Sequence, residues 1–126
     1  MRGGTGWWGV VLDAPDARAL ADFYAELLGW SVDATDEPAS VVVGPVGETT
    51  SYLAVQRSPE YVPPVWPAED GRQQMMLHLD VGVDDLEAAV ADAIELVATM
   101  AGHQPQEDVR VLLDPAGHPF CLYLDR

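Results

Sequence analysis

The chain of 126 residues contains no lysine, and its six basic residues, all arginine, stand against 21 aspartates and glutamates. The formal net charge is −15. A surface this acidic repels phosphate backbones and anionic lipid headgroups, which makes nucleic acid and membrane surfaces poor candidate partners. It attracts cationic ligands, although the same charge also serves simply to keep a small protein soluble.

Cysteine and long apolar runs are scarce as well. The single cysteine, Cys121, excludes an internal disulfide and a cysteine-rich zinc site. No apolar run approaches the roughly 18 residues of a membrane span, and the N-terminal MRGGTGWWGV lacks the apolar core of a signal peptide. We therefore expect a cytoplasmic protein. An apolar fraction of 48% is enough to fill the core of one compact domain, residues 1–126.

One supersecondary unit occurs twice along the chain. WWGVVLDAPD (7–16), followed by the helical run ARALADFYAELL, corresponds to MMLHLDVGVDD (75–85), followed by LEAAVADAIELV, and this alignment places Gly9 opposite His78. A second internal similarity relates VVVGPVG (41–47) to VLLDPAG (111–117). Each copy predicts a strand, a helix and three further strands.

In the first copy, module 1 at about 7–56, apolar spacing and turn residues set the boundaries. They predict strand 7–13, a helix from Asp16 to Gly29, strand 30–34, a turn at 36–38, strand 40–43, a turn at 44–47 and strand 49–56.

The second copy, module 2 at about 74–126, follows a connection at 57–73 that contains four prolines. The prolines preclude a helix or central strand there, so this connection either links two modules or covers a site. In module 2 the pattern predicts strand 74–83, a helix from Asp85 to about Met100, a weak strand near 103–107, strand 108–113, a turn at 114–117 and strand 119–125.

The two βαβββ copies, the proline-containing helix entry and LLDPAGHPFCLYL (112–124) together resemble the vicinal oxygen chelate superfamily. Its members include glyoxalase I, bleomycin resistance proteins, fosfomycin resistance proteins and extradiol dioxygenases. The resemblance implies an α+β fold, in which two βαβββ modules form a cupped mixed sheet with helices on the outer face. The modules pair within one chain or across a homodimer, and we expect a homodimer here. Such a fold does not by itself specify a reaction.

Metal-binding members of that superfamily take ligands from the first and last strands of each module. The resemblance places these four positions at Gly9, Ser51, His78 and Cys121. Glycine offers no side chain and serine is a weak neutral ligand, so two donors of mixed softness remain. They do not reproduce the octahedral His/Glu site of the family's metalloenzymes. We therefore predict no metal ligands and assign no cofactor, because a divalent metal would need donors that the ligand pattern does not supply.

The two remaining donors each have alternative roles. His78 lies between Leu77 and Leu79, so on an alternating strand it faces opposite to both. If the leucines pack under the helices, His78 faces the cup, where it bonds a ligand or acts as acid or base. Otherwise it is satisfied by a neighbouring backbone group or carboxylate. Cys121 is either a reactive thiol or a buried, inert cysteine. The second is favoured because no predicted cation or helix N-terminus adjoins Cys121 to lower its pKa.

The chain also contains four tryptophans. Aromatic walls suit a pocket for flat or cationic organic molecules, whereas the alternative is that these rings belong to the core or to an interface. Trp7 and Trp8 are adjacent on one strand, so one of the two faces the cup, and Trp66 in the connection is a candidate lid. The candidate ligand-binding residues are His78, Trp7, Trp8, Tyr52, Trp66 and Cys121.

Three functions remain open from the sequence. The first is a protein with a degenerate metal site that binds a small aromatic or cationic molecule in an aromatic-lined cup. The second is a metal-dependent lyase, isomerase or ring-opening dioxygenase that uses His78. The third is a dimerisation or partner-binding domain without small-molecule activity. No catalytic residue is assigned.

Overall fold

The computed structural model describes residues 1–33, 39–45 and 47–126, which form two compact units, Met1–Tyr61 and Val62–Arg126. The boundary between the units falls inside the proline-containing connection. The turn predicted at 36–38 lies outside the described residues, as does Val46 of the turn predicted at 44–47. Within the described ranges, the helices are too short or too polar to cross a bilayer.

The first unit has the predicted βαβββ order. Its elements are β1 (Trp8–Ala14), α1 (Ala17–Leu28), β2 (Ser31–Asp33), β3 (Ala39–Val43) and β4 (Ser51–Arg57). The strands form one sheet in the order β1-β4-β3-β2, in which β1 runs parallel to β4 and the other pairs are antiparallel. The parallel pair needs a crossover connection, which the helix supplies.

Local sequence signals determine both ends of α1. The Asp16 carboxylate accepts a hydrogen bond from the Ala19 amide at 3.0 Å, and Gly29 ends the helix in the left-handed region at φ 68°. The apolar stripe of α1 is buried together with residues of three strands. The buried set includes Leu20, Phe23, Tyr24, Leu12, Val42, Leu53 and Val55. The first unit therefore has a continuous apolar core between helix and sheet.

The second unit repeats the same arrangement. Its elements are β5 (Leu79–Val83), α2 (Leu86–Glu95), β6 (Thr99–Met100), β7 (Val109–Leu113) and β8 (Pro119–Leu124). The sheet order is β5-β8-β7-β6, with β5 parallel to β8. Asp85 caps α2 as Asp16 caps α1, accepting from the Ala88 amide at 3.0 Å. The expected α+β fold of two βαβββ modules is confirmed, and each unit contains one helix and a four-stranded mixed sheet.

The strand predicted at 74–83 begins only at Leu79. Just before it, Met76 adopts φ 63° and the Leu77 amide bonds the Met75 carbonyl at 2.7 Å, which is a tight turn rather than extended backbone. Leu77 is 54% exposed, so it does not pack under the helix as its alternation with His78 suggested.

The helix predicted to reach Met100 ends at Glu95. Val97 enters the left-handed region at φ 79°, and the Ala98 amide bonds the Ala93 carbonyl at 3.0 Å, which closes the helix end. Thr99 and Met100 then form β6 against β7. The second strand of this module is therefore at 99–100 and not near 103–107.

Val97→Gly should raise the free energy of unfolding by about 0.5–1 kcal/mol, because a left-handed L-residue costs roughly 1–2 kcal/mol and the added chain entropy of glycine offsets only part of that. The valine side chain is 72% exposed, so little burial is lost, and the matching position at the end of α1 is already Gly29. Urea unfolding measures the change. The control Val62→Gly, at an exposed residue without positive φ, should not stabilise the protein. A Val97→Gly variant less stable than wild type would refute this account of the helix end.

Candidate functional site

A cavity of about 330 Å³ lies within the second unit, on one face of its sheet. Successive residues of a strand point to opposite faces of the sheet. Odd-numbered residues of β7 and β8 line the cavity. Leu112, Phe120 and Leu122, which point to the opposite face, are buried. The cavity is lined by Trp66, Met75, His78, Asp80, Pro105, Gln106, Val109, Val111, Pro119, Cys121 and Tyr123. Its wall is therefore mostly apolar, with two aromatic side chains and a few polar groups.

Three of these polar groups form one cluster. Asp80 on β5 is paired with Cys121 on β8 in the parallel ladder, so these two side chains share a face. His78, which precedes the strand, lines the same cavity. His78 Nε2 lies 3.1 Å from Asp80 Oδ1, and the potential ligand atoms of the three side chains all lie within 4.8 Å of one another. The structure thus gives His78 a carboxylate neighbour on the cavity face.

The surroundings of Cys121 favour its protonated form. Burial of the thiol, followed by the negative charge of Asp80 and a hydrogen bond to that carboxylate, raises the pKa of Cys121 from 9.0 to about 11. The thiolate is the nucleophilic form of cysteine. This environment supports the inert rather than the reactive interpretation of Cys121.

Asp80→Asn should increase the rate at which iodoacetamide alkylates Cys121 severalfold at about pH 8, because it removes two of the three causes that raise the thiol pKa. Burial, the largest cause, remains, so the rate should stay below that of a free thiol. Mass spectrometry of the single cysteine measures it directly. Asp84→Asn, an exposed carboxylate on the same unit, is the matched control, and equal rates in the two variants would contradict the assignment.

The proline-containing connection contributes directly to the cavity. Trp66 Nε1 donates a hydrogen bond to the His103 carbonyl at 3.1 Å, and the two rings lie 5.7 Å apart. Trp66 is thereby held beside the cavity, together with Tyr123 and Met75. The connection links the two units, and Trp66 supports its other predicted role, covering a site.

The candidate residues of the first unit have a different environment. Trp7 and Trp8 are 56% and 63% exposed. The ring of Tyr52 lies across the backbone of Gly9, where an added Cβ would come within 2.3 Å of Tyr52 Cε2. The position aligned with His78 therefore lacks both a side chain and room for one. Gln56 is held by Asp13, to which its side-chain amide donates at 2.7 Å.

His118 and Asp114 stabilise the turn before β8. The Asp114 side chain is fully buried, and its Oδ1 accepts from the amides of Ala116 and His118, each at 3.0 Å. The His118 ring approaches the same carboxylate, with Nδ1 2.8 Å from Oδ2. The His118 ring therefore has a structural role, because it contacts the carboxylate that holds the turn. This turn sets where Pro119 and Cys121 enter the cavity.

Asp80 and Tyr123 line the cavity but were not predicted from the sequence, and only Asp80 had a clear signal there. A spacing of two residues from His78 on a predicted strand was the available signal, because it places both side chains on one face. Of the six residues predicted from sequence, His78, Trp66 and Cys121 line the cavity of the second unit. Trp7, Trp8 and Tyr52 belong to the first unit.

The Glyoxalase-like domain family model matches residues 9–123, and the chain belongs to this family. A glyoxalase/bleomycin resistance protein from Albidiferax ferrireducens T118 has a similar structure, with a TM-score of 0.65 at 15% identity over 95% of this chain and 98% of that one. Fosfomycin resistance protein FosX from Mesorhizobium loti is also similar, with a TM-score of 0.65 at 12% identity over 100% of this chain and 95% of that one. The structure of TnmS3, an antibiotic binding protein from Streptomyces sp. CB03234, has a TM-score of 0.63 at 17% identity over 100% of both chains.

No curated protein sequence matches the chain. The family match and the shared fold confirm the resemblance to the vicinal oxygen chelate superfamily. At these identities the structural likeness establishes the fold and leaves the reaction open.

Proposed function

We propose that the cavity of the second unit binds a small aromatic or cationic organic molecule and that the family's usual metal site is degenerate in this chain. The observation that carries the proposal is the cavity itself. Its volume of about 330 Å³ is within the range of small-molecule sites, and its wall combines apolar and aromatic side chains with a few polar groups. Trp66 and Tyr123 offer ring surfaces for stacking.

Charge favours cations within this class of ligand. Among the described residues that line the cavity, Asp80 is the only acid and no arginine is present. A carboxylate attracts a cationic group through its charge, and neighbouring aromatic rings attract the same group through cation–π interactions. The net charge of −15 adds a long-range attraction of the same sign.

The first unit supports a degenerate metal site. Tyr52 fills the space beside Gly9, so a ligand at that position would require the ring to move. Structurally similar proteins include one described as an antibiotic binding protein and one described as a fosfomycin resistance protein. Both descriptions concern small molecules, which supports a binding role for this cavity.

A set of three planar tricyclic probes tests the proposal. The protein is titrated with N-methylacridinium, neutral 9-anthracenemethanol and anionic 9-anthracenecarboxylate, with tryptophan fluorescence as the readout. We expect saturable quenching, tightest for the cation and weakest for the anion. Asp80→Asn should weaken cation binding on the order of tenfold and leave the neutral probe unaffected, and Trp66→Phe should reduce the quenching.

Asp84→Asn, which removes an exposed carboxylate outside this cavity, is the control for total charge. Failure of all three probes to saturate would overturn the proposal. So would equal affinities that Asp80→Asn leaves unchanged.

A metal-dependent lyase, isomerase or ring-opening dioxygenase is the second candidate, favoured by the proximity of His78, Asp80 and Cys121. Elemental analysis with a methylglyoxal–glutathione assay separates it from the first. Metal-dependent turnover that His78→Ala abolishes would establish it, and a metal-replete protein without turnover would count against glyoxalase activity.

The third candidate, a partner-binding domain without a pocket, is disfavoured by the cavity. The homodimer remains a prediction, and light scattering would test it by measuring the molar mass of the protein in solution.

A further inference from the structure

We propose that His78, Asp80 and Cys121 form a binding site for a thiophilic divalent cation of the zinc class, contained entirely in the second unit. This differs from the family pattern, in which ligands come from both modules and form a hard octahedral set. The metal site would share Asp80 with the cavity of the proposed function, so binding of the metal ion and of the organic cation are measured separately, each on metal-free protein.

The geometry needs little adjustment. Ligand atoms at about 2.0–2.3 Å from a tetrahedral zinc ion lie roughly 3.3–3.8 Å from one another. His78 Nε2 and Asp80 Oδ1 are 3.1 Å apart, and the three ligand atoms are within 4.8 Å of one another. The backbone positions of Asp80 and Cys121 are fixed by direct pairing across the β5–β8 ladder. Small side-chain rotations therefore suffice to make the donors converge.

The donor types select the metal. An imidazole, a carboxylate and a thiolate suit Zn²⁺ and its substitutes Co²⁺ and Cd²⁺, whereas Mg²⁺ and Ca²⁺ prefer all-oxygen sites. Three protein ligands leave one tetrahedral position for water or another small ligand. Since the cluster lines the cavity, that position lies beside the space available to a bound molecule.

Binding requires a proton to leave. The Cys121 thiol, which now donates to Asp80, gives its proton to solvent as the sulfur becomes a metal ligand, and Asp80 exchanges its hydrogen bonds for coordination. No electron transfer is involved.

Cobalt spectroscopy tests the site without any assay of activity. Protein stripped with a chelator and dialysed is titrated with Co²⁺. We expect one ion per chain, the visible bands of four-coordinate cobalt and a near-ultraviolet thiolate-to-cobalt charge-transfer band. Zn²⁺ should abolish the spectrum stoichiometrically, and excess Mg²⁺ should not.

Three variants assign the ligands. Cys121→Ser should remove the charge-transfer band. Asp80→Asn and His78→Gln should each weaken cobalt binding at least about tenfold, since even the loss of a residue that only hydrogen-bonds a metal ligand lowers metal affinity by that factor. Asp84→Asn should bind as wild type, and circular dichroism confirms that each variant is folded.

A charge-transfer band that survives Cys121→Ser would overturn the proposal, as would cobalt binding that neither Asp80→Asn nor His78→Gln weakens or the absence of stoichiometric binding. The tricyclic-probe titration is run on the same metal-free protein. Absent cobalt bands with intact probe binding would therefore remove only the metal site, and the reverse result would remove only the organic ligand.

Discussion

Asp114→Ala should lower the free energy of unfolding by about 3–5 kcal/mol, because hydrogen bonds to a charged group are worth roughly 1.5–3 kcal/mol each and buried donors left unpaired cost more. The Asp114 carboxylate accepts from two backbone amides and approaches the His118 ring, and its side chain is completely buried. Its removal strands these donors at the entry to β8. The cavity residues Pro119 and Cys121 follow directly, so probe affinity should fall as well.

Denaturant unfolding followed by circular dichroism measures the loss. Asp92→Ala is the matched control, an exposed aspartate on α2, and should change stability by no more than about 0.5 kcal/mol. Asp114→Asn, which keeps one acceptor oxygen, should fall between the two. A loss below about 1 kcal/mol for Asp114→Ala would mean that the turn does not depend on this carboxylate.

Gly9→Ala should destabilise the protein by about 1–3 kcal/mol, the usual range for inserting atoms into a packed site. The added Cβ would come within 2.3 Å of the Tyr52 ring, which must then leave its position on the adjacent strand. The same contact leaves no room for a side chain at the position that aligns with His78.

A double-mutant cycle isolates this contact. In a Tyr52→Ala background, Gly9→Ala should lose most of its cost, because the ring that the methyl group meets is gone. Gly102→Ala serves as the control, since an added Cβ there meets nothing within 4 Å. If Gly9→Ala is equally costly with and without Tyr52, the ring is not the cause.

The repeat and the helix starts could be predicted because their signals are local. Asp16 and Asp85 each cap the helix that follows, and Gly29 ends α1, as short-range patterns indicate. The errors arose where the backbone departs from what residue type suggests. Met76 and Val97 have positive φ without being glycine, and no sequence rule marks such positions.

The candidate site was predictable in part for a similar reason. His78 and Cys121 were identified as positions where the family resemblance implies ligands, and Trp66 by its place among prolines. That Asp80 lies opposite Cys121 depends on strand register between segments about forty residues apart, which the hydrophobic pattern does not specify. The ring of Tyr52 over Gly9 is likewise a tertiary contact without a local signal.

Methyl-detected NMR of protein labelled at valine and methionine, with and without saturating N-methylacridinium, tests the central claim most directly. If the ligand occupies the cavity of the second unit, the methyl signals of Met75, Val109 and Val111 shift strongly because aromatic ring currents act at short range. The signals of Val42 and Val55, buried in the core of the first unit, stay in place. Saturation without a shift at Met75, Val109 or Val111 would contradict the assignment of the cavity as the binding site.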